Sequence, residues 1–335
     1  MITKKYYKLV KVSYEDSQIF YVKNVSDSAG TFSVSHLNKR SWNIKYSLDG
    51  VTWTTYDVTN FPTITVPAGS NIYLKGTNYY FNENNTYLSF SMDVEHIIGG
   101  NIMSLKDETN FSTLTSIGNS YMFKRLFFGD THLVSAEKMN VGNVLTLNDY
   151  AFIECFQGCT SLVKAPLFDN CDTIYSNVFQ NCFKGCTSLT DGGNFSNVTY
   201  VGGDAFSNCF SGCTSLTTPP VIDTYNITTL GTLRPFYAMF SDCTALQSGL
   251  DLRGITDSLI ASTYDAFDQM YLGCNNLTTV YTPNISTWNT DLFTNWLNQA
   301  GSSATGTKTV YKPAALTIPT DSNSGVPTGW TVQNY

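Results

Sequence analysis

The chain has 335 residues, of which 42% are apolar and only 13% are charged, and its formal net charge is −7. This balance excludes an intrinsically disordered chain, and it argues against nucleic-acid binding because the phosphate backbone would be repelled. No apolar run reaches about 18 residues, so we expect no membrane-spanning helix and no membrane insertion.

Residues 1–100 alternate between apolar and polar residues, as β-strands do, in the segments 19–25, 42–48, 63–66 and 71–75. Asp49-Gly50 is a turn signal, so residues 42–53 are predicted to form a hairpin. We expect residues 1–100 to form a β-sandwich domain for attachment or assembly. Trp42, Tyr46 and Trp53 are candidates for a carbohydrate-binding face, and the alternative is packing in the core and across strands.

The first residues include two lysines but lack the apolar stretch of a signal peptide, since Lys11, Glu15 and Asp16 interrupt it. We therefore expect a cytosolic product. Such a protein would reach the outside of a cell by lysis or by another route that needs no signal.

One short unit recurs about six times over residues 123–277, and it reads Phe-x-x-Cys/Met-Phe-x-Gly-Cys-Thr-Ser-Leu. The leucines that close the units lie 29, 27, 27, 30 and 31 residues apart: Leu133, Leu162, Leu189, Leu216, Leu246 and Leu277. Two aromatic columns precede them and are separated by four residues. That spacing places both aromatics on one face of a short helix, and a short extended segment follows each leucine. The glycine before each cysteine is predicted to end the helix with a positive φ.

A unit of this length cannot bury its large apolar side chains alone, so the copies are predicted to stack into a solenoid over residues 101–290. The predicted core of the repeats consists of two aromatic columns and one leucine column. Its members are Phe152, Phe156, Leu162, Phe179, Phe183, Leu189, Phe206, Phe210, Leu216, Phe236, Phe240 and Leu246.

The nine cysteines fall mostly into two further columns of the repeat. Five precede Thr or Asn, and three lie between the aromatics. Disulfides, a metal site and plain packing are the alternatives. Packing is favoured because free cysteine behaves as a small apolar residue, because the count is odd, and because Asp130, Met239 and Met270 replace cysteines in these columns. Zinc sites usually use C-x-x-C pairs, which are absent.

Residues 291–335 are predicted to cap the solenoid. Residues 291–301 resemble a helix that ends at Gly301, and a strand is predicted over 308–312. The tail that follows is polar and aromatic, which suits the exposed end of a stack of repeats.

The sequence contains no known catalytic, cofactor-binding or metal-binding motif. The three histidines His36, His96 and His132 stand in unrelated contexts and are interpreted as incidental surface or packing residues. We expect a non-enzymatic protein without a cofactor.

The repeat Phe-x-x-Cys-Phe-x-Gly-Cys-Thr-Ser-Leu resembles the BspA-type leucine-rich repeat family over residues 121–290. The resemblance implies a β-rich α+β fold: an N-terminal β-sandwich, a leucine-rich-repeat-type solenoid of short strands and short helices, and a C-terminal cap. It also implies binding of host proteins or glycans. The whole arrangement, with its Gly-x-Pro-x-Gly-Trp-Thr-Val ending, is similar to repeat proteins of gut Bacteroidota and of their phages, including crAss-like phages.

These features lead us to expect a phage virion protein, a head or tail fibre or decoration that engages the host surface. Its partners would be other virion proteins, a host glycan or protein, and copies of itself in a homo-oligomer such as a trimer. The alternatives are a BspA-like adhesin on the bacterial cell surface or in the extracellular space, and a glycan-degrading enzyme.

Overall fold

A computed structural model describes residues 19–38 and 40–335. Within these ranges the fold is β-rich, with 17 strands and one four-residue α-helix, α1 (Asp257–Ile260). Four 3₁₀ segments complete the regular structure: Ile102–Leu105, Phe111–Thr113, Thr224–Asn226 and Thr290–Leu292. The segment on which the expectation of a cytosolic product rests, residues 1–18, lies outside the described residues.

Eight strands and the first strand of the repeats form two sheets at the N-terminal end. They are β1 (Tyr21–Asn24), β2 (Gly30–Leu37), β3 (Ile44–Ser47), β4 (Thr54–Thr55), β5 (Ile64–Val66), β6 (Asn71–Gly76), β7 (Tyr87–Met92), β8 (His96–Asn101) and β9 (Leu133–Asn140). One sheet has the order β4-β3-β6-β1-β8-β9, and the other has the order β5-β2-β7. All pairs are antiparallel except β8 and β9, so this parallel pair joins the N-terminal sheet directly to the first repeat.

A hairpin is present, since β3 pairs with β4 in antiparallel register, but its second strand lies just beyond the predicted residues 42–53. Gly50 has a φ of 74° in the connecting turn, where a side chain would be strained. Trp42 is 4% exposed and its indole N–H donates to the carbonyl of Phe81, while Trp53 packs under the ammonium of Lys75. Trp42 is therefore a core residue.

The repeats contribute two parallel four-stranded sheets. The first contains β10 (Thr146–Leu147), β11 (Thr173–Ile174), β12 (Tyr200–Val201) and β13 (Thr229–Leu230). The second contains β14 (Ser248–Asp251), β15 (Thr279–Tyr281), β16 (Lys308–Lys312) and β17 (Trp330–Asn334). In the first sheet Ile174 pairs with Leu147 on one side and with Val201 on the other, so equivalent residues of successive repeats meet.

The short helices predicted from the four-residue aromatic spacing are wrong. In their place each repeat has a run of overlapping turns, in which alternate N–H groups donate to the carbonyl three residues earlier, as Cys155 does to Phe152 at 3.1 Å. The remaining N–H groups donate to the next repeat: Phe152 to Val178 at 3.1 Å, and Phe156 to Cys182 at 2.9 Å. Hydrogen bonds that a helix would keep internal therefore join neighbouring repeats.

Every fourth residue of this run has a left-handed backbone. The φ values are 59° at Asn177, 55° at Asn181 and 74° at Gly185, and the other repeats follow the same pattern. The conformation costs roughly 1–2 kcal/mol for most side chains and is best tolerated by Gly, Asn and Asp. The glycine before the cysteine has the predicted positive φ, although it closes a turn and not a helix.

All twelve predicted core side chains of the repeats are 0% exposed. Their rings form continuous columns through the stack. Phe183, for example, lies between Phe156 and Phe210, with both ring centroids at 5.3 Å and interplanar angles of 6° and 11°. We call the set of repeats joined in this way the repeat stack.

The nine cysteines are free and buried, as packing predicts. Five of them also have a polar role that the sequence did not suggest: each thiol donates to a phenylalanine carbonyl of the preceding repeat. The bonds run from Cys159, Cys186, Cys213, Cys243 and Cys274 to Phe127, Phe156, Phe183, Phe210 and Phe240, at 3.0–3.1 Å. Cysteine fits this column better than alanine, because it is small and its thiol can still donate a weak hydrogen bond.

Thiol titration should therefore find almost no reactive cysteine in the native protein at pH 8 and all nine after denaturation without reductant. Burial raises the pKa of Cys186 and Cys243 to about 12, so the reactive thiolate is scarce at pH 8. A denatured titration that falls short by an even number would reveal disulfides and contradict the packing interpretation.

The helix predicted over residues 291–301 is also wrong. After the 3₁₀ segment Thr290–Leu292 the chain forms the same left-handed turns as the repeats, with φ of 54° at Asn295 and 61° at Gln299. Phe293 stacks on Phe267 at 5.1 Å and thus extends the aromatic column by one unit. The indole of Trp288 covers Phe293 at 3.8 Å and ends the column.

Candidate functional site

The segments after the closing leucines lie side by side and form what we call the strand face. It begins with β8 and β9, continues through isolated parallel bridges such as Lys164–Asp191 and Asn194–Val221, and ends with β14–β17. Regular pairing is lost in the middle, where prolines Pro166, Pro219 and Pro220 occur. Proline cannot donate a ladder hydrogen bond, so these segments cannot form regular central strands.

A shallow groove of about 480 Å³ lies in this irregular middle part. It is lined by Glu137, Lys138, Ala165, Leu167, Asp191, Gly193, Asn194 and Val221. Val221 is 57% exposed and Leu167 is 37% exposed, so apolar side chains and charges share one accessible surface. Such a combination suits recognition of an amphipathic ligand, either a peptide or a sugar.

The charges in the groove are held by neighbours. Glu137 forms an ion pair with Lys164 at 2.5 Å, and hydrogen bonding and attraction from Glu137 raise the pKa of Lys164. Asp191 accepts the N–H of Gly193 at 3.0 Å. Both carboxylates therefore have partners that fix their orientation, and they can accept hydrogen bonds from a ligand.

A second cluster of side chains lies on the outer side of β14–β17. Tyr281 and Tyr311 stack at 4.8 Å, and the guanidinium of Arg253 lies 4.4 Å from the ring of Tyr281. Arg253 also binds Asp251 through two nitrogens, at 2.9 Å and 2.7 Å. Burial alone would raise the pKa of Asp251, but the hydrogen bonds to Arg253 outweigh it and lower the pKa. Because the arginine is paired with Asp251, this cluster offers rigid rings and not a free cation.

The three histidines have different environments. His36 stacks on Phe61 at 4.1 Å, and His132 is exposed. His96 is not incidental: its Nε2 lies 3.0 Å from Oδ2 of Asp130, and both side chains are 1% exposed. Asp130 makes no aligned hydrogen bond through that oxygen, so the two side chains are in close polar contact without a well-directed hydrogen bond. The sequence signal was the aspartate in a cysteine column.

Two carboxylates in the turns are also unusual. Burial raises the pKa of Asp268 to about 6 and raises that of Asp204, although Asp268 accepts the N–H of Thr294 at 2.7 Å. A carboxyl whose pKa is higher in the folded state than in the unfolded state stabilises the fold at low pH. That contribution disappears as the pH rises through about 6.

Asp268→Asn should therefore raise the free energy of unfolding by about 1–2 kcal/mol at pH 8 and leave it nearly unchanged at pH 4. Asparagine keeps an oxygen for the Thr294 N–H and removes the buried charge. Urea unfolding at both pH values measures the effect, and the exposed Asp27→Asn is the control. A variant that is destabilised at pH 8 would show that the charge itself is needed.

No helix among residues 19–38 and 40–335 is long and apolar enough to cross a bilayer. The same described residues contain no group of three or more His, Cys, Asp or Glu side chains that could hold a metal ion. The prediction that the chain has no catalytic, cofactor-binding or metal-binding site stays a prediction.

The fold and the strand face define a β-rich protein made of stacked repeats with an accessible groove. No family model matches the chain, and no curated protein matches it. A comparison with solved structures matches the crystal structure of a leucine-rich repeat protein from Bacteroides ovatus ATCC 8483, at 17% sequence identity and a TM-score of 0.23. The match covers 58% of this chain and 58% of that protein, so the chain spans less than two thirds of its length.

Proposed function

We propose that the chain is a non-enzymatic virion structural protein of a phage of gut Bacteroidota, a head or tail fibre or decoration. In this proposal the strand face binds a glycan or protein of the host surface. The observation that carries the binding role is the groove, where exposed Val221 and Leu167 lie beside Glu137 and Asp191. Support for the virion location comes from the resemblance of the sequence to phage repeat proteins.

The proposal includes a finer description of the fold. The repeat stack would be a solenoid of the leucine-rich-repeat type, and the two N-terminal sheets would form a sandwich that attaches the chain to other virion proteins or to copies of itself. Hydrogen bonds from every second residue of the turns to the next repeat make the stack rigid. A rigid backbone lowers the entropic cost of binding, because little has to be ordered when the ligand arrives.

Mass spectrometry of purified phage particles tests the location. We expect peptides of this chain in the particles at a level comparable to other minor structural proteins. Their absence from particles, together with their presence in the surface fraction of uninfected cells, would overturn the proposal in favour of the adhesin alternative.

Binding of the purified chain to host cells tests the groove. Val221→Asp places a charge on the exposed apolar surface and should weaken binding at least about tenfold, the factor that corresponds to about 1.4 kcal/mol. Val51→Asp is the matched control, because Val51 is 80% exposed and lies far along the chain in the β3–β4 turn. Equal binding by both variants would show that the groove is not the site. Hydrolysis of host glycans that is lost in Glu137→Gln would instead support an enzyme.

A further inference from the structure

A second surface lies where the loop between β6 and β7 meets the first repeats. It consists of Tyr79 and Tyr80 from that loop, Lys106 after the 3₁₀ segment Ile102–Leu105, and Tyr121, Lys124 and Tyr150 from the turns. We call it the tyrosine–lysine patch. It is distinct from the groove, since it shares no residue with the groove lining.

The patch exposes aromatic rings that are already fixed in place. Tyr79 is 73% exposed and Tyr80 is 39% exposed, and their rings meet edge to face at 4.7 Å. Tyr121 and Tyr150 stack at 4.4 Å with an interplanar angle of 9°, because both occupy the left-handed position of successive repeats. An open ring face such as that of Tyr79 is a common platform for the apolar face of a sugar or for a cation.

Hydrogen bonds tie the loop to the first repeat. The Asn119 side chain donates to the carbonyl of Tyr79, and Asn82 donates to the carbonyl of Lys124 at 2.7 Å. The Lys124 ammonium donates to the carbonyl of Asn84 at 2.6 Å. The patch is thus preorganised, which reduces the entropic cost of binding.

Two ammonium groups of the patch have no carboxylate partner among the described residues. Lys106 Nζ lies 6.0 Å from the ring centroid of Tyr79, and Lys124 Nζ lies 5.4 Å from that of Tyr121. Burial lowers the pKa of both lysines. By contrast, Lys45, Lys75 and Lys164 each pair with a glutamate.

The acidic groups close to the patch are engaged elsewhere. The Asp107 carboxylate accepts the N–H groups of Thr109 and Asn110, and the Asp149 carboxylate, next to Tyr150, accepts the N–H of Ser176. Glu154 pairs with Arg125, and Glu83 pairs with Arg40 at 2.6 Å. In a chain with a net charge of −7, these two lysines thus lie beside exposed rings without an ion pair to a described carboxylate.

We propose that the tyrosine–lysine patch binds an anionic carbohydrate. The sugar ring would pack on Tyr79, and a carboxylate or sulfate would receive charge-assisted hydrogen bonds from Lys106 and Lys124. A single-stranded nucleic acid is disfavoured, because it needs a long basic groove with several stacking rings.

Titration calorimetry of the full chain with hexasaccharides tests the proposal. Hyaluronan supplies carboxylates, chondroitin sulfate supplies carboxylates and sulfates, and cellohexaose is uncharged. We expect binding of at least one anionic sugar that weakens with salt. Tyr79→Ala and Lys106→Gln should each weaken it at least about fivefold, the loss typical of a cation or ring contact. Lys124→Gln is a second lysine variant, which keeps the test valid if Lys106→Gln unfolds the protein.

Matched controls are available elsewhere on the surface. Tyr264 is 66% exposed and Lys184 is exposed, and neither lies in the patch or in the groove. Tyr264→Ala and Lys184→Gln should leave the affinity unchanged. Equal binding of cellohexaose, tighter binding of a 15-nucleotide oligo-dT, or no binding of either anionic sugar would overturn the proposal.

The outcome is separable from that of the groove. Val221→Asp should leave the affinity for the anionic sugar unchanged, while Tyr79→Ala should weaken that affinity without altering the groove. The patch can therefore fail while the strand face still binds host cells, and the reverse also holds.

Discussion

Phe179→Ala should lower the free energy of unfolding by about 3–5 kcal/mol, as truncation of a fully buried phenylalanine does. Phe179 is 0% exposed and stacks between Phe152 at 5.8 Å and Phe206 at 5.6 Å. Phe168 and Phe195 also meet it edge to face, at 4.8 Å and 5.2 Å. Removal of the ring leaves a cavity that neighbouring repeats cannot fill, because their own rings are held at fixed spacing by backbone hydrogen bonds.

Urea unfolding followed by circular dichroism measures the loss. Phe128→Ala is the matched control, because Phe128 is 40% exposed and should cost less than about 1 kcal/mol. Equal midpoint shifts for the two variants would contradict the assignment of the aromatic column as core. A broadened transition would indicate that the stack separates into two unfolding units at the weakened repeat.

The second large effect is expected at the start of the stack. His96→Ala should lower the free energy of unfolding by about 3 kcal/mol, because it removes the imidazole beside the buried Asp130 carboxylate and leaves that carboxylate with the N–H of His132. In later repeats a cysteine occupies this position and donates to the preceding repeat. The first repeat has no preceding repeat, and His96 of β8 lies against it in its place. The pair is therefore a buried side-chain contact at the junction between the N-terminal sheet and the repeats.

A double-mutant cycle isolates this contact. Asp130→Cys restores the residue of the later repeats, and in combination with His96→Ala it removes both members of the pair. We expect the double variant to lose at least about 1 kcal/mol less than the sum of the single losses. Strict additivity, measured by urea unfolding at pH 7, would refute the coupling between His96 and Asp130.

The sequence predicted which side chains form the core better than it predicted the conformation of the backbone. Phe and Leu that recur at a constant spacing indicate which side chains contact each other in the stack. The structure buries all of these Phe and Leu side chains. The four-residue spacing of the aromatics also predicts a helix, and this prediction is wrong. A helix and a run of turns with a left-handed residue at every fourth position both place residues i and i+4 on one side, so the spacing alone does not distinguish them. The distinguishing signal was Asn177, Asn181 and Gly185, three residues that tolerate a positive φ, four apart.

The groove could not be predicted, because its residues lie in the segments that differ most between repeats. Asp191 and Val221 have no common motif, and their proximity depends on parallel pairing across about 27 residues of chain. The prolines that interrupt the strand face are evident in the sequence, but they predict a break in the strand pairing and not a groove. The patch depends on a loop outside the repeats, so no repeat pattern marks it.

The bonding between repeats has a consequence for how such a chain can change over generations. Each copy is bonded to the copy before it and the copy after it, so a duplicated unit would fit between two others with its hydrogen bonds satisfied. The segments 158–162, 185–189 and 212–216 are identical in sequence, as copies of one unit would be. Each added copy would lengthen the molecule by one inter-strand spacing, about 4.8 Å. The length of the molecule would thus change by one repeat at a time, and neither end would have to change.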